Sequence, residues 1–88
     1  MVTKKRFDNI YQLQQLQQLA VQSGNEVGLH SEDSSAIVDA KSFIGLFALD
    51  FTKPVLVVSE DVNFHKQIVS IGETVDVLPE SMKAEIYG

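Results

Sequence analysis

The segment from Ile37 to Asp50, IVDAKSFIGLFALD, constrains the fold more than any other part of the chain. It starts with the alternation of a strand and passes almost at once into a short apolar helix, with Ser42 at the change. Ser42 suits the N-cap of a helix over Phe43 to Leu49, because its hydroxyl can accept an unpaired amide of the first turn. Phe43, Ile44, Leu46, Phe47 and Leu49 are all apolar and cannot all face one core. Some are therefore expected on the surface or against a partner. Gly45, in the middle, is expected to allow close backbone approach.

What precedes this switch reads as strand, helix and strand. In Met1 to Phe7, Val2, Lys4 and Arg6 can share one face and Thr3, Lys5 and Phe7 the other. The charges suit an edge or a solvent face. Asp8 or Asn9 can cap a helix whose apolar stripe is Ile10, Leu13, Leu16, Leu19 and Ala20, at helical period. The glutamines of QLQQLQQL fill the opposite side, and the stripe reads as a core-facing surface. Ser23 and Gly24 stop the helix, with Gly24 suited to a left-handed position. Asn25 to His30 alternates as a strand, Ser31-Glu32-Asp33-Ser34 is turn-forming, and Ser35 to Val38 resumes as the second arm of a hairpin.

After the switch, Asp50 to Lys53 is a connection and Pro54 opens the β-branched strand Val55-Leu56-Val57-Val58. Ser59 or Asp61 caps a second long helix, with Phe64, Ile68 and Ile71 on one face and Gly72 at its end. Thr74 to Leu78 alternates as a small extra strand before Pro79, and Glu80 to Gly88 is a tail. The resulting order is strand, helix, strand, strand, short helix, strand, helix. This is an α+β arrangement with the helices to one side of an antiparallel sheet.

A chain of 88 residues, 44% of them hydrophobic, is one domain with one core. The net charge of −5 disfavours non-specific nucleic-acid binding. With no cysteine, a disulfide, a thiolate nucleophile or a cysteine-ligated metal is excluded. Lys4, Lys5 and Arg6 are not followed by the apolar stretch of a signal peptide, and no apolar run approaches membrane length. A cytoplasmic location is expected.

At Val38-Asp39-Ala40-Lys41-Ser42-Phe43-Ile44-Gly45-Leu46 the sequence resembles the HPr family of the bacterial sugar phosphotransferase system. In that family a strand is followed by a lysine-serine pair and by apolar-apolar-Gly opening a short helix. The resemblance runs over about residues 3 to 72. It implies an HPr-like open-faced sandwich, a four-stranded antiparallel sheet with three helices on one side, over residues 1–72. Residues 73–88 would be a C-terminal extension without counterpart. The family's phosphocarriers hold a phosphorylatable histidine, followed by Ala-Arg-Pro, at the start of the first long helix, where helix amides favour a phosphate. Here that place is Phe7-Asp8-Asn9-Ile10, without histidine, arginine or proline, and Asp8 would repel an incoming phosphoryl group.

The resemblance therefore implies a non-catalytic interaction or regulatory domain without cofactor or metal. Its protein partner would be a component of the phosphotransferase system or a transcriptional regulator, and its surface would be Phe43, Ile44, Phe47 and Leu49. Ser42 matches the family's regulatory serine, so it reads either as a plain N-cap or as a phosphorylation site. His30, in Gly28-Leu29-His30, and His65, on the last helix, are the remaining phosphoacceptor candidates. Each also reads as an ordinary solvent-facing histidine. Dimerisation through the short helix or the Thr74–Leu78 strand is a third alternative. No catalytic constellation is expected, because Glu32, Asp33, Glu60 and Asp61 fall at turns and helix starts.

Overall fold

The computed structural model describes residues 1–50 and 52–75. The elements are β1 (Val2–Arg6), α1 (Ile10–Gln22), β2 (Gly28–Ser31), β3 (Ile37–Asp39), α2 (Phe43–Leu46), β4 (Val55–Val58), α3 (Val62–Gln67) and β5 (Glu73–Thr74). A 3₁₀ turn over Ile68–Ser70 continues α3. The strands form one antiparallel sheet in the order β3-β2-β4-β1-β5.

The helices cover one face of this sheet. Leu13, Leu16 and Ala20 of α1, Leu46 of α2, and Phe64 and Ile68 of α3 and its 3₁₀ turn are buried in one cluster with Leu29, Val55 and Val57 of the sheet. Leu29 lies opposite Val57, and Val55 is two residues along, so these side chains share a face. The other face is open: Val2 and Ile37 are exposed, and Leu56, Val58 and His30 are half-buried. The architecture is α+β, consistent with an open-faced sandwich.

Local chemistry sets most element ends. Asn9 caps α1, its Oδ1 accepting the Gln12 amide at 3.1 Å, while Gln12 Oε1 accepts the Asp8 amide at 2.7 Å. This reciprocal pair resembles a capping box shifted by one residue. Asp61, not Ser59, caps α3 by accepting the Phe64 amide at 3.1 Å. Ser59 instead accepts the Asp61 amide at 3.1 Å and so fixes the capping residue.

Several expectations need correction. The sheet has five strands, not four, because Gly72 takes φ +67 and folds Glu73 and Thr74 back along β1. A Cβ at Gly72 would lie 2.6 Å from the Arg6 carbonyl oxygen, so the turn requires glycine. In consequence β1 is an interior strand, between β4 and β5, and not an edge. Of the extra strand expected at Thr74–Leu78, Asp76 onward lies outside the described residues, as does the tail.

The two short helices are shorter than their apolar patterns suggest. α2 ends at Leu46 and continues as turns, and α3 has 6 residues before its 3₁₀ turn. The hairpin arms are displaced toward Gly28–Ser31 and Ile37–Asp39, because their connection is wider than a tight turn. Ser31 pairs with Ala36, and Ser34 is left-handed at φ 62. Gly24 is not left-handed, since α1 closes through an extended Ser23. Nor does Gly45 serve a close approach, for its nearest contact to an added Cβ is 3.4 Å, to Ser42 Oγ.

Candidate functional site

The site suggested by the sequence lies where the end of β3 turns into α2 beside α1. Ala40 is buried and its amide bonds to the Val27 carbonyl at 2.9 Å, which anchors the end of the hairpin. Lys41 then bridges the turn to α1. Its carbonyl accepts from Gln17 Nε2 at 2.9 Å, and its Nζ reaches the Ser23 carbonyl at 3.3 Å. Ser42 follows, exposed, with Oγ accepting the Gly45 amide at 3.2 Å. Asp39 accepts the Lys41 amide on its carboxylate at 2.9 Å and the Ser42 amide on its carbonyl at 3.0 Å. Asp39 thus fixes the backbone of the turn that leads into Ser42.

The apolar residues of α2 divide as geometry requires. Leu46 is in the core, and Leu49, 6% exposed, joins it from the turn that follows. Phe43 packs partly against the core and meets Phe47 edge to face at 5.3 Å between ring centroids. Ile44 and Phe47 point away from it, at 83% and 61% exposed. Leu49 thus adds nothing to the accessible surface.

Phe47 forms one wall of a groove of about 510 Å³ at the start of α1, with Phe7, Asp8, Asn9, Ile10, Leu13, Arg6 and Thr52 as its other walls. Ile10 is itself exposed, and Tyr11 beside it more so. Nothing in the residue pattern marks Ile10 as joining Phe47 on the surface. Ile10 belongs to the helical stripe that reads as a core-facing surface, whereas Phe47 is among the residues expected outside.

The two histidines occupy unlike places. His30 is half-buried on the open face of the sheet, opposite Leu56 on one side and Ile37 on the other. His65 is 3% exposed, so the expectation of a solvent-facing ring is wrong for it. Its Nε2 lies 2.8 Å from the Ser59 carbonyl. A carbonyl only accepts, so Nε2 carries the proton and donates it. In the neutral ring Nδ1 then accepts from the Thr3 hydroxyl at 2.7 Å. This ring ties α3 to β1 and to the end of β4, and neither nitrogen is free to act as a nucleophile.

The acidic residues serve turns. Asp33 accepts from the Ser35 hydroxyl at 2.7 Å, the Ser35 amide at 3.0 Å and the Ser31 hydroxyl at 2.8 Å. These bonds, those of Ser35 first, hold its carboxyl down to about 2. Thr52 does the same for Asp50, and Ser23 with the Phe64 amide for Asp61, both held below 3.8. Glu32 pairs with Lys4 at 2.5 Å. Among the described residues no three His, Asp or Glu side chains converge as a metal site would need, and no helix is long and apolar enough to cross a membrane.

Comparison of the chain with protein-family models, with curated proteins and with solved structures returned no match.

Proposed function

We propose that this chain is a non-catalytic interaction or regulatory domain of HPr type, which binds a protein partner through α2 and the start of α1. The observation that carries this reading is the exposure of Ile44 and Phe47 on so short a helix, with Ile10 exposed across the groove from Phe47. A helix of 4 residues and its C-cap have little to gain from presenting Ile44 and Phe47 to water unless something covers them. The retained motif Lys41-Ser42-Phe43-Ile44-Gly45 and the element order from β1 to α3 support the HPr-type assignment, with β5 as an addition. At the place of the family's phosphorylatable histidine, Asn9 caps the helix and Asp8 brings a negative charge. The partner is a component of the phosphotransferase system or a transcriptional regulator associated with it.

Binding of such components to the full chain, to Phe47→Glu and to Ile44→Glu, followed by calorimetry, tests this reading. Loss of at least roughly 2 kcal/mol of binding in Phe47→Glu, with the melting temperature unchanged, is the expected result for a central aromatic anchor. Equal affinity of both variants and the parent chain would contradict it.

A further inference from the structure

We propose that β5 is a releasable strap, with Lys5 as its latch, that opens without unfolding the domain and bares both the edge of β1 and the Lys5 amine. Lys5 is 0% exposed, on the helix-facing side of an interior strand. Its Nζ donates to Thr74 Oγ1 at 2.9 Å and, over a longer 3.4 Å, to the Val69 carbonyl. An ammonium has three donors, and neither ion pair among the described residues involves Lys5. With no carboxylate partner among the described residues, the ammonium regains hydration when the strap lifts, which offsets part of the loss of its hydrogen bond to Thr74.

The element that would have to move is small. β5 is 2 residues long, and both of them are exposed. Among the described residues it is held by its short antiparallel pairing with β1, the Lys5–Thr74 bond on one face, the Arg6–Glu73 ion pair on the other, and the Val75 amide on the Lys4 carbonyl at 2.8 Å. The ion pair is solvent-exposed and adds little. None of the core cluster comes from β5, so lifting it breaks a few polar contacts and leaves the apolar core in place. Segments with few buried apolar contacts open at free energies well below that of global unfolding. The hinge is Gly72, at φ +67, just before the strap. Charged groups near the latch on packed elements are Lys4 and Arg6 of β1 and Glu73 of β5, all on the opposite face of the sheet, and Lys66 of α3, which is exposed.

Native-state amide exchange on the full chain, followed residue by residue, tests this. The Val75 amide should exchange at least about tenfold faster than the Leu16 amide inside α1, and more slowly than an unstructured peptide. Thr74→Val, on the exposed strap, should speed Val75 exchange roughly three- to tenfold through loss of its hydrogen bond to Lys5, while leaving Leu16 exchange no faster. An acylating amine reagent should label Lys5 more slowly than Lys53 and Lys66, and faster than Leu16 exchanges. Val75 and Leu16 exchanging together would overturn the proposal. So would an unprotected Val75 amide, or a Val75 rate that does not change in Thr74→Val.

Discussion

Beneath β5 the Lys5 ammonium has a hydroxyl and a carbonyl for partners and no pairing carboxylate among the described residues. Burial lowers its pKa from 10.5, since the charged form is the one that loses hydration. The folded chain therefore releases this proton before the unfolded chain does. Between the folded value and 10.5 the unfolded chain holds more protons, so stability should rise with pH across that window. Lys5→Met should abolish this rise and be neutral or stabilising at pH 7, as urea titrations at a series of pH values would show. Asp33, Asp50 and Asp61 also have lowered folded values, so stability again rises with pH, here because the fold favours their charged form. Their folded values lie below 3.8, so the stability they contribute is present above 3.8 and is lost as pH falls through the folded values, about 2 for Asp33. Asp33→Asn, Asp50→Asn and Asp61→Asn combined should lower stability at pH 7 and flatten its fall toward acid, with the two chains converging near pH 2, as urea titrations followed by circular dichroism at a series of pH values would show.

Glycine separates two further cases at this scale. Gly72→Ala forces a side chain into left-handed backbone against a carbonyl 2.6 Å away and should cost more than about 1 kcal/mol. Gly45→Ala meets nothing closer than 3.4 Å inside a helix and should be neutral or stabilise by up to about 1 kcal/mol. Denaturant melts of the two single variants distinguish them. The sequence pattern alone suggested a role for Gly45 and only a stop at Gly72. Which glycine is needed depends on where the chain returns, and that is a tertiary fact.

At the scale of elements, periodicity and capping chemistry were legible where the signal is local. The stripe of α1, its stop at Gln22, and the apolar faces of β4 and α3 follow from residues within a few positions of one another. Asn9→Ala, which removes the α1 cap, should cost about 1 kcal/mol in a urea melt. Leu16→Ala, at the centre of the same helix and wholly buried, should cost about 2–5 kcal/mol. The interior position of β1 was not legible, because Thr3 and Lys5 on its inner face look like solvent residues. Their partners, His65 and Thr74, lie at sequence separations of 62 and 69. The end of α2 was hidden for a different reason. In a run as apolar as Phe43–Leu49 no polar side marks which residues turn outward, so Leu49 and Phe47 looked alike although one is core and the other surface.

Taken as a whole, the molecule has one well-covered face and two kinds of uncovered surface. The open side of the sheet carries charges in pairs across strands, Lys4 with Glu32 and Arg6 with Glu73. Such pairs suit an exposed face. The α2 surface offers Ile44 and Phe47 with no comparable screen, and it adjoins the start of α1, where an HPr-type carrier would hold its histidine. This surface is the one that the proposed function assigns to a partner of the phosphotransferase system, with no phosphoryl group taken. A ¹H–¹⁵N spectrum of the full chain, recorded with the general phosphotransferase enzyme before and after phosphoenolpyruvate is added, tests this most directly. The amides of Ile10, Ile44 and Phe47 should shift on adding the enzyme, and the ring signals of His30 and His65 should stay unchanged when phosphoenolpyruvate follows. A spectrum in which those amides do not move, or in which either histidine becomes phosphorylated, would contradict it.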